Sequence, residues 1–250
     1  MDRAGWVINL ASSPDRMAHA HAELSRAGLE TRRIEAYDGR GKDLADFEGY
    51  DDARTRRFMG RSMSAGELGC YLSHIRALTA FLESPEDVAL ILEDDFQWTE
   101  GGPDAATTAM DWLAENSHWH AINVGASKRK ITSPLEDLSG RELVRAHYFP
   151  MLAHAMIWSR AGAEALLAVA TPIFCPADNM YRHVLTRSDK GLALYPPAAS
   201  AGAFDSDITA RSTGGSRSTQ ARSPFYGWRK QKRLWTEKLI ATTHKARLRG

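Results

Sequence analysis

Val88-Ala89-Leu90-Ile91-Leu92-Glu93-Asp94-Asp95 runs five apolar residues directly into three carboxylates. The apolar run has strand length and no polar alternation, the pattern of a central strand covered on both faces. Working outward, Gly5 to Leu10 reads as a first buried strand. Ser13 and Pro14 then supply an N-cap and a first-turn proline for a helix that reaches about Ala27 and ends at Gly28. Glu30 to Tyr37 reads as a second strand, broken by Asp38-Gly39, and residues 40 to 63 read as polar and irregular. Ser64 and Glu67 form a capping-box pattern opening a helix to about Leu82, with Leu68, Leu72, Ile75 and Leu82 as its expected buried stripe.

Beyond the acidic run, a helix is expected near Pro103 to Asn116. Strands are expected at His120 to Val124, Leu143 to Phe149 and Ala153 to Trp158. Helices follow at Ser159 to Ala170 and Pro176 to Leu185, then a short strand at Leu192 to Tyr195. Residues 196 to 223 read as a mobile loop and Trp228 to Arg247 as a basic helix with aromatic residues. Strands alternating with helices predict an open α/β sheet that binds ligand at the carboxyl ends of its strands, where Asn9, Asp38 and Glu93 to Asp95 all fall.

The 250 residues, 43% hydrophobic and 25% charged, are ordinary globular values for one large domain with an appendage. Cys70 and Cys175 stand far apart in no Cys/His cluster, so neither a zinc site nor a disulfide framework is suggested. The apolar stretch near the N-terminus is too short for a signal peptide, and no run approaches the roughly 18 apolar residues of a spanning helix. A cytoplasmic protein is the expectation. The net charge of +1 hides an asymmetry: residues 221 to 250 carry nine Lys or Arg against Glu237 alone, a balance of +8, which leaves −7 on the rest.

Three consecutive carboxylates raise one another's pKa unless something positive compensates. A divalent cation with hard oxygen ligands, Mg²⁺ or Mn²⁺, is the usual compensation; a solvated acidic turn is the plain alternative. Glu67 and His74, seven residues apart, project within about 20° of each other on their helix and could line one wall of a site. Glu67 also serves as the capping-box partner. The Gly66 and Gly69 pair permits close backbone approach.

Ser64 to His74 (SAGELGCYLSH) and Ala89 to Asp95 (ALILEDD) together resemble glycosyltransferase family 25, which includes lipooligosaccharide and collagen galactosyltransferases. The resemblance continues through Val7-Ile8-Asn9-Leu10 with Ser13, Asp15 and Arg16, and through Ala36-Tyr37-Asp38-Gly39. His154 to Ser159 with Ala163, Leu166 and Leu167, then Pro176-Ala177-Asp178, then Ser206-Asp207-Ile208 follow in order. It thus spans about residues 6 to 208. It implies a GT-A type nucleotide-sugar-binding fold, an open mixed sheet flanked by helices, in a catalytic domain over 1–208. Residues 209–250 would be a flexible loop and a basic aromatic tail.

The resemblance further implies a UDP-sugar donor, most often UDP-galactose, inversion at the anomeric carbon, and a glycan or lipid-linked saccharide acceptor. Glu93 and Asp95 stand where that fold keeps its metal-binding pair, holding Mn²⁺ or Mg²⁺ on the diphosphate. Asn9, Arg16, Asp38, His74, Asp94, His154 and Asp207 are the expected donor contacts. Asp178 is the expected base for the acceptor hydroxyl, with His154 and Asp207 as alternatives and Glu67 as a second catalytic candidate. Met156-Ile157-Trp158 departs from the family's more usual small and aromatic run.

Arg211, Arg217 and Arg222 could close over the donor phosphates. The tail from 222 to 249, with Phe225, Tyr226, Trp228 and Trp235, suits the anionic inner face of a membrane or the acidic body itself. Nucleic acid is disfavoured, because the acidic body repels its phosphates. A nucleotidyltransferase or nucleotide-sugar hydrolase on the same carboxylates is the competing enzyme reading. A non-catalytic glycan- or membrane-binding module is the other.

Overall fold

The computed structural model describes residues 3–202 and 226–248. The expected domain boundary at 208/209, the Ser206-Asp207-Ile208 block, Arg211, Arg217, Arg222 and Phe225 lie outside the described residues.

Eight strands form one mixed sheet, β1 (Ala4–Asn9), β2 (Glu30–Glu35), β3 (Val88–Glu93), β5 (Ala121–Asn123), β6 (Ser133–Leu138), β7 (Arg141–Arg145), β8 (Ala155–Ser159) and β9 (Gly191–Tyr195), in the order β2-β1-β3-β8-β5-β9-β7-β6. β2, β1 and β3 are parallel neighbours and β5 is parallel to β9. β8 runs antiparallel between β3 and β5, so it begins at the edge where β1, β3 and β5 end. A two-stranded antiparallel ribbon pairs β4 (Phe96–Trp98) with β10 (Ala199–Ala201). This is the open mixed α/β sheet expected of a GT-A type fold.

The alternating side chains of the strands bury against helices on both faces. Val7, Leu90, Leu92 and Ile122 pack beneath α1 (Pro14–Arg26) and α4 (Gly102–Glu115). Trp6, Ile8, Ile91 and Trp158 face α3 (Ala65–Glu83), α5 (Arg160–Leu167) and α6 (Ala177–Ser188). The β3 core, Ala89 to Leu92, is fully buried, as its unbroken apolar run requires.

Several expectations are corrected. Residues 40 to 63 contain a 3₁₀ turn at Leu44–Asp46 and a helix, α2 (Asp52–Met59). Asp51 caps α2 by accepting from the Arg54 amide at 2.8 Å, and Gly60 ends it at φ 79°. Thr55 is the sole buried residue of α2, which left no apolar periodicity to read. The buried stripe of α3 is Leu68, Tyr71, Leu78 and Phe81, while Leu72, Ile75 and Leu82 are only partly buried. Ser13 makes no side-chain capping bond to α1. β6 carries no strand signal in the sequence because it is a polar edge strand holding Pro134. The expected loop from 196 yields β10 before the described residues break off.

The last helix, α7 (Tyr226–Arg247), packs on α2 and α6. Packing on the body, one of the two expectations for the tail, is observed for this helix. Arg233 donates to the Phe58 carbonyl at 3.2 Å and stacks over its ring at 4.5 Å. Glu237, 2% exposed, lies 3.8 Å from His183 and 3.9 Å from Arg187.

Candidate functional site

The carboxyl ends of β1, β2 and β3 open into a cleft. Ile8, Leu10 and Arg16 form one side, Ala36 to Arg40 and α3 (Gly66, Cys70, Ser73, His74) the other, and Glu93, Asp94 and Asp95 the floor. The α3 wall is fixed by close backbone approach. A Cβ on Gly69 would fall 2.6 Å from the Tyr37 carbonyl oxygen, and one on Gly39 would fall 2.0 Å from that of Ala65. Ser73 Oγ accepts from the Tyr37 amide at 2.8 Å and donates to the Gly69 carbonyl at 2.7 Å.

The floor is electrostatically tense. Arg16 lies 2.6 Å from Asp94 and 3.3 Å from Asp95, one guanidinium between two of three adjacent acids. Asn9 donates to Asp94 Oδ2 at 2.6 Å. Burial pushes the Asp94 carboxyl up to about 6, and Asp95 and Glu93 add to that against the opposing pull of Asn9 and Arg16. Asp95 is raised by burial and by Glu93. Burial also acts on Glu93, but the His74 ring nitrogen 3.3 Å away, with His154 and Arg16, outweighs it and holds Glu93 below the usual carboxylate range.

A buried Asp95 Oδ1 makes no hydrogen bond, nor do His74 Nδ1 and His154 Nε2. Buried polar atoms are normally satisfied, so an orphaned carboxylate oxygen in a floor of three acids fits a hard divalent cation on Glu93 and Asp95. A second, overlapping donor set brings Cys70 Sγ, His74 and Glu93 within 4.8 Å of one another. Its mixture of sulfur, nitrogen and oxygen suits a softer ion such as zinc.

Of the residues singled out from sequence, Arg16, Asp38, His74, Glu93, Asp94 and Asp95 line the cleft. Asn9 stands behind it, 2% exposed, with its amide on Asp94 and the Ser13 carbonyl and its oxygen accepting from Arg33 at 3.0 Å. It positions Asp94. Asp38 is chelated by Arg40, whose hydrogen bonds hold its carboxyl below the usual range. His154 is buried beside the floor: its carbonyl accepts from the Glu93 amide at 2.9 Å, and only the missing Cβ of Gly125 leaves room for its ring. Burial lowers its pKa, against the pull of Glu93 and Asp95.

Glu67 and Asp178 are not among the cleft-lining residues. Glu67 closes the capping box with Ser64 and takes a bidentate bond from Arg61 at 2.8 and 2.6 Å. Asp178 sits in the first turn of α6, hydrogen-bonded by Asn179 at 2.9 Å, and burial raises its carboxyl. One turn along, Tyr181 packs edge-on against His74 with ring centroids 5.6 Å apart. Asp207 lies outside the described residues.

Tyr37, Arg40, Cys70 and Ser73 line the cleft and were not selected as site residues from sequence. Each adjoins or lies within a quoted block, and that proximity was the available signal. Asn123 was also missed. It accepts from the Gly125 and Ala126 amides and donates to the Leu152 carbonyl at 2.8 Å, shaping the turn that admits His154, and nothing local in the sequence marks it.

The model of "Glycosyltransferase family 25 (LPS biosynthesis protein)" matches residues 3–180. The chain is 29% identical over 178 residues to the "Probable inactive glycosyltransferase 25 family member 3" of Rattus norvegicus, a match covering 65% of this chain and 29% of that protein. It is 31% identical over 179 residues to the "Inactive glycosyltransferase 25 family member 3" of Homo sapiens, over 65% and 28%. To "Procollagen galactosyltransferase 2" of Homo sapiens it is 24% identical over 153 residues, 57% and 24% of the two chains. Each match therefore spans less than a third of the relative. With the family model covering most of the chain over the same blocks that build the cleft, the chain belongs to glycosyltransferase family 25.

Proposed function

We propose that this chain is an active, metal-dependent hexosyltransferase that moves a sugar, galactose first, from a UDP-sugar onto a glycan or lipid-linked saccharide. The observation that carries this reading is the cleft floor: three carboxylates, one guanidinium and an orphaned Asp95 oxygen at the carboxyl ends of parallel strands, the place where such sheets take nucleotides. The procollagen galactosyltransferase relative supports galactose as the first donor to try.

In this reading Glu93 and Asp95 hold Mn²⁺ or Mg²⁺, which when bound offsets negative charge on the departing nucleoside diphosphate. Arg16 opposes the rise that burial imposes on the Asp94 and Asp95 carboxyls. Asn9 holds Asp94 in place. His74 and His154 together hold Glu93 below the usual carboxylate range, and the Tyr37–Arg40 wall faces the nucleoside. Asp178, its carboxyl raised by burial, removes the proton from the acceptor hydroxyl as the new bond forms on the face opposite the leaving group. Glu67 is left out of the chemistry because the capping box and Arg61 occupy it.

A second reading, a binding module without turnover, is favoured by the relatives named inactive. Calorimetry with UDP-galactose, with Mn²⁺ and with chelator, on wild type, Asp95→Ala and Cys70→Ser, together with a UDP-release assay, separates the two. Metal-dependent binding lost in Asp95→Ala and kept in Cys70→Ser, with UDP released on acceptor addition, is the expected result. Binding with no release across an acceptor screen favours the module. No nucleotide binding with metal present overturns the transferase reading and leaves the binding module ahead.

A further inference from the structure

α7 has two faces, and among the described residues only one of them is occupied. The inner face, Arg233, Glu237, Ala241 and His244, is held by α2 and α6 and by Asp189. On the opposite side Trp228, Lys232, Trp235 and Leu239 recur at four, three and four residues, which at 3.6 residues per turn places them within about 60° of one another. Trp228, Trp235 and Leu239 are 64%, 68% and 69% exposed. Among the described residues seven large apolar side chains are exposed, and four of them lie between Trp228 and Leu248. Such a concentration marks a contact surface, since scattered single exposures are what an ordinary surface shows.

Charge selects the occupant. The α7 sequence holds seven Lys or Arg and one acid, and that acid, Glu237, is turned inward at 2% exposure. Its outward charge is therefore entirely positive. Lys232 lies 5.2 Å over the Trp228 ring and Lys238 5.6 Å over the Trp235 ring, so each exposed aromatic carries its own cation. Tryptophan beside lysine on one side of a helix that lies flat on its protein is the composition that settles at the headgroup level of a bilayer, the ring among the upper acyl carbons and the ammonium among the phosphates. No helix among the described residues is long and apolar enough to cross a membrane, so the contact is lateral.

We infer that the outer face of α7 docks the protein onto an anionic bilayer surface through Trp228, Trp235 and Leu239, with Lys232 and Lys238 on the lipid phosphates. The placement suits the cleft. α7 lies against α6, which begins at Ala177 beside Asp178 and carries Tyr181 against His74 of the cleft wall. Docking would hold the cleft one helix away from the lipid surface.

The test is flotation of the full chain with vesicles of phosphatidylcholine alone and of phosphatidylcholine mixed with phosphatidylglycerol, without nucleotide, so that its outcome is independent of the donor reading. Wild type is expected to float with the anionic vesicles only and to be released by high salt. The Trp228→Ala/Trp235→Ala/Leu239→Ala variant should stay at the bottom of the gradient. Lys232→Gln/Lys238→Gln should weaken binding roughly 25-fold, about fivefold per charge removed. Circular dichroism of the variants checks that α7 remains folded, as expected for exposed positions. Wild type failing to float with anionic vesicles, or the triple variant floating as well as wild type, overturns the inference. So does a dimer that the triple variant dissolves while vesicles bind neither protein, which assigns the face to a second copy.

Discussion

Asp94 and Asp189 are both buried acids, 7% and 4% exposed, in opposite electrical situations. Asp189, at the C-terminus of α6 with φ 54°, accepts from His147 at 2.8 Å and Arg145 at 2.5 Å. Burial acts to raise it, and those two partners outweigh burial and lower it. Asp94 has one amide and a guanidinium shared with its neighbour, and it is pushed up to about 6. Burial of an acid therefore does not by itself mark a site. At Asp189 the fold supplies every counter-charge, whereas at Asp94 and Asp95 burial outweighs the counter-charge that the fold supplies, the imbalance on which the proposed metal role rests.

The sharpest way to break that contrast uses Asp178, whose carboxyl is raised like those of Asp94 and Asp95. Asp178→Asn should lower kcat by about 10²–10⁴-fold with KM for the donor little changed, read by steady-state UDP release; an unchanged kcat removes it as the base. Asp95→Asn should lower turnover by about 10²–10³-fold and abolish the metal dependence of donor binding. Asp189→Ala should do the reverse. It leaves His147 and Arg145 without their acid and destabilises by about 3 kcal/mol in urea unfolding, with nucleotide affinity intact.

Asp94→Asn tests the sign of the deficit. A carboxyl raised from 3.8 to about 6 favours the folded state below pH 3.8, and that advantage is lost as pH rises through about 6. At pH 7 without metal, Asp94→Asn should therefore be more stable than wild type by about 1–3 kcal/mol, and the gap should close on acidification to pH 4. A destabilised variant at pH 7 would show that Asn9 and Arg16 already satisfy the carboxylate. The smallest effect is expected at Glu67→Gln, which keeps the capping box and weakens the Arg61 pair. It should cost about 1 kcal/mol of stability and change turnover by less than about twofold; a collapse of kcat would restore Glu67 to the chemistry.

Much of this arrangement is legible in the sequence, for identifiable reasons. β3 announces itself because a strand covered on both faces cannot tolerate a polar residue, and its acids mark the carboxyl edge by simple adjacency. α2 is hidden because caps and charge pairs hold it, and β6 because an edge strand need not be apolar. Within the site, Glu93, Asp94 and Asp95 are local in the chain and could be found locally. Asn9 reaches Asp94 across 85 residues, and Asn123 shapes the His154 pocket through backbone amides that any sequence would present. Such roles arise only when the strands are laid side by side. Glu67 shows the converse: a residue prominent in its motif, with both oxygens already engaged.

The contact of Gly39 and Gly69 with backbone oxygens has a consequence for how a donor is chosen. Since no side chain separates the Tyr37–Arg40 segment from α3, and Ser73 bonds to it, that wall cannot shift without carrying the helix along. The ordering entropy of that wall was therefore spent when the chain folded, and on the proposed reading a nucleoside entering the cleft would lose little affinity to arranging it. Discrimination among bases would follow from a rigid template and show as differences in dissociation rate, with association rates nearly alike.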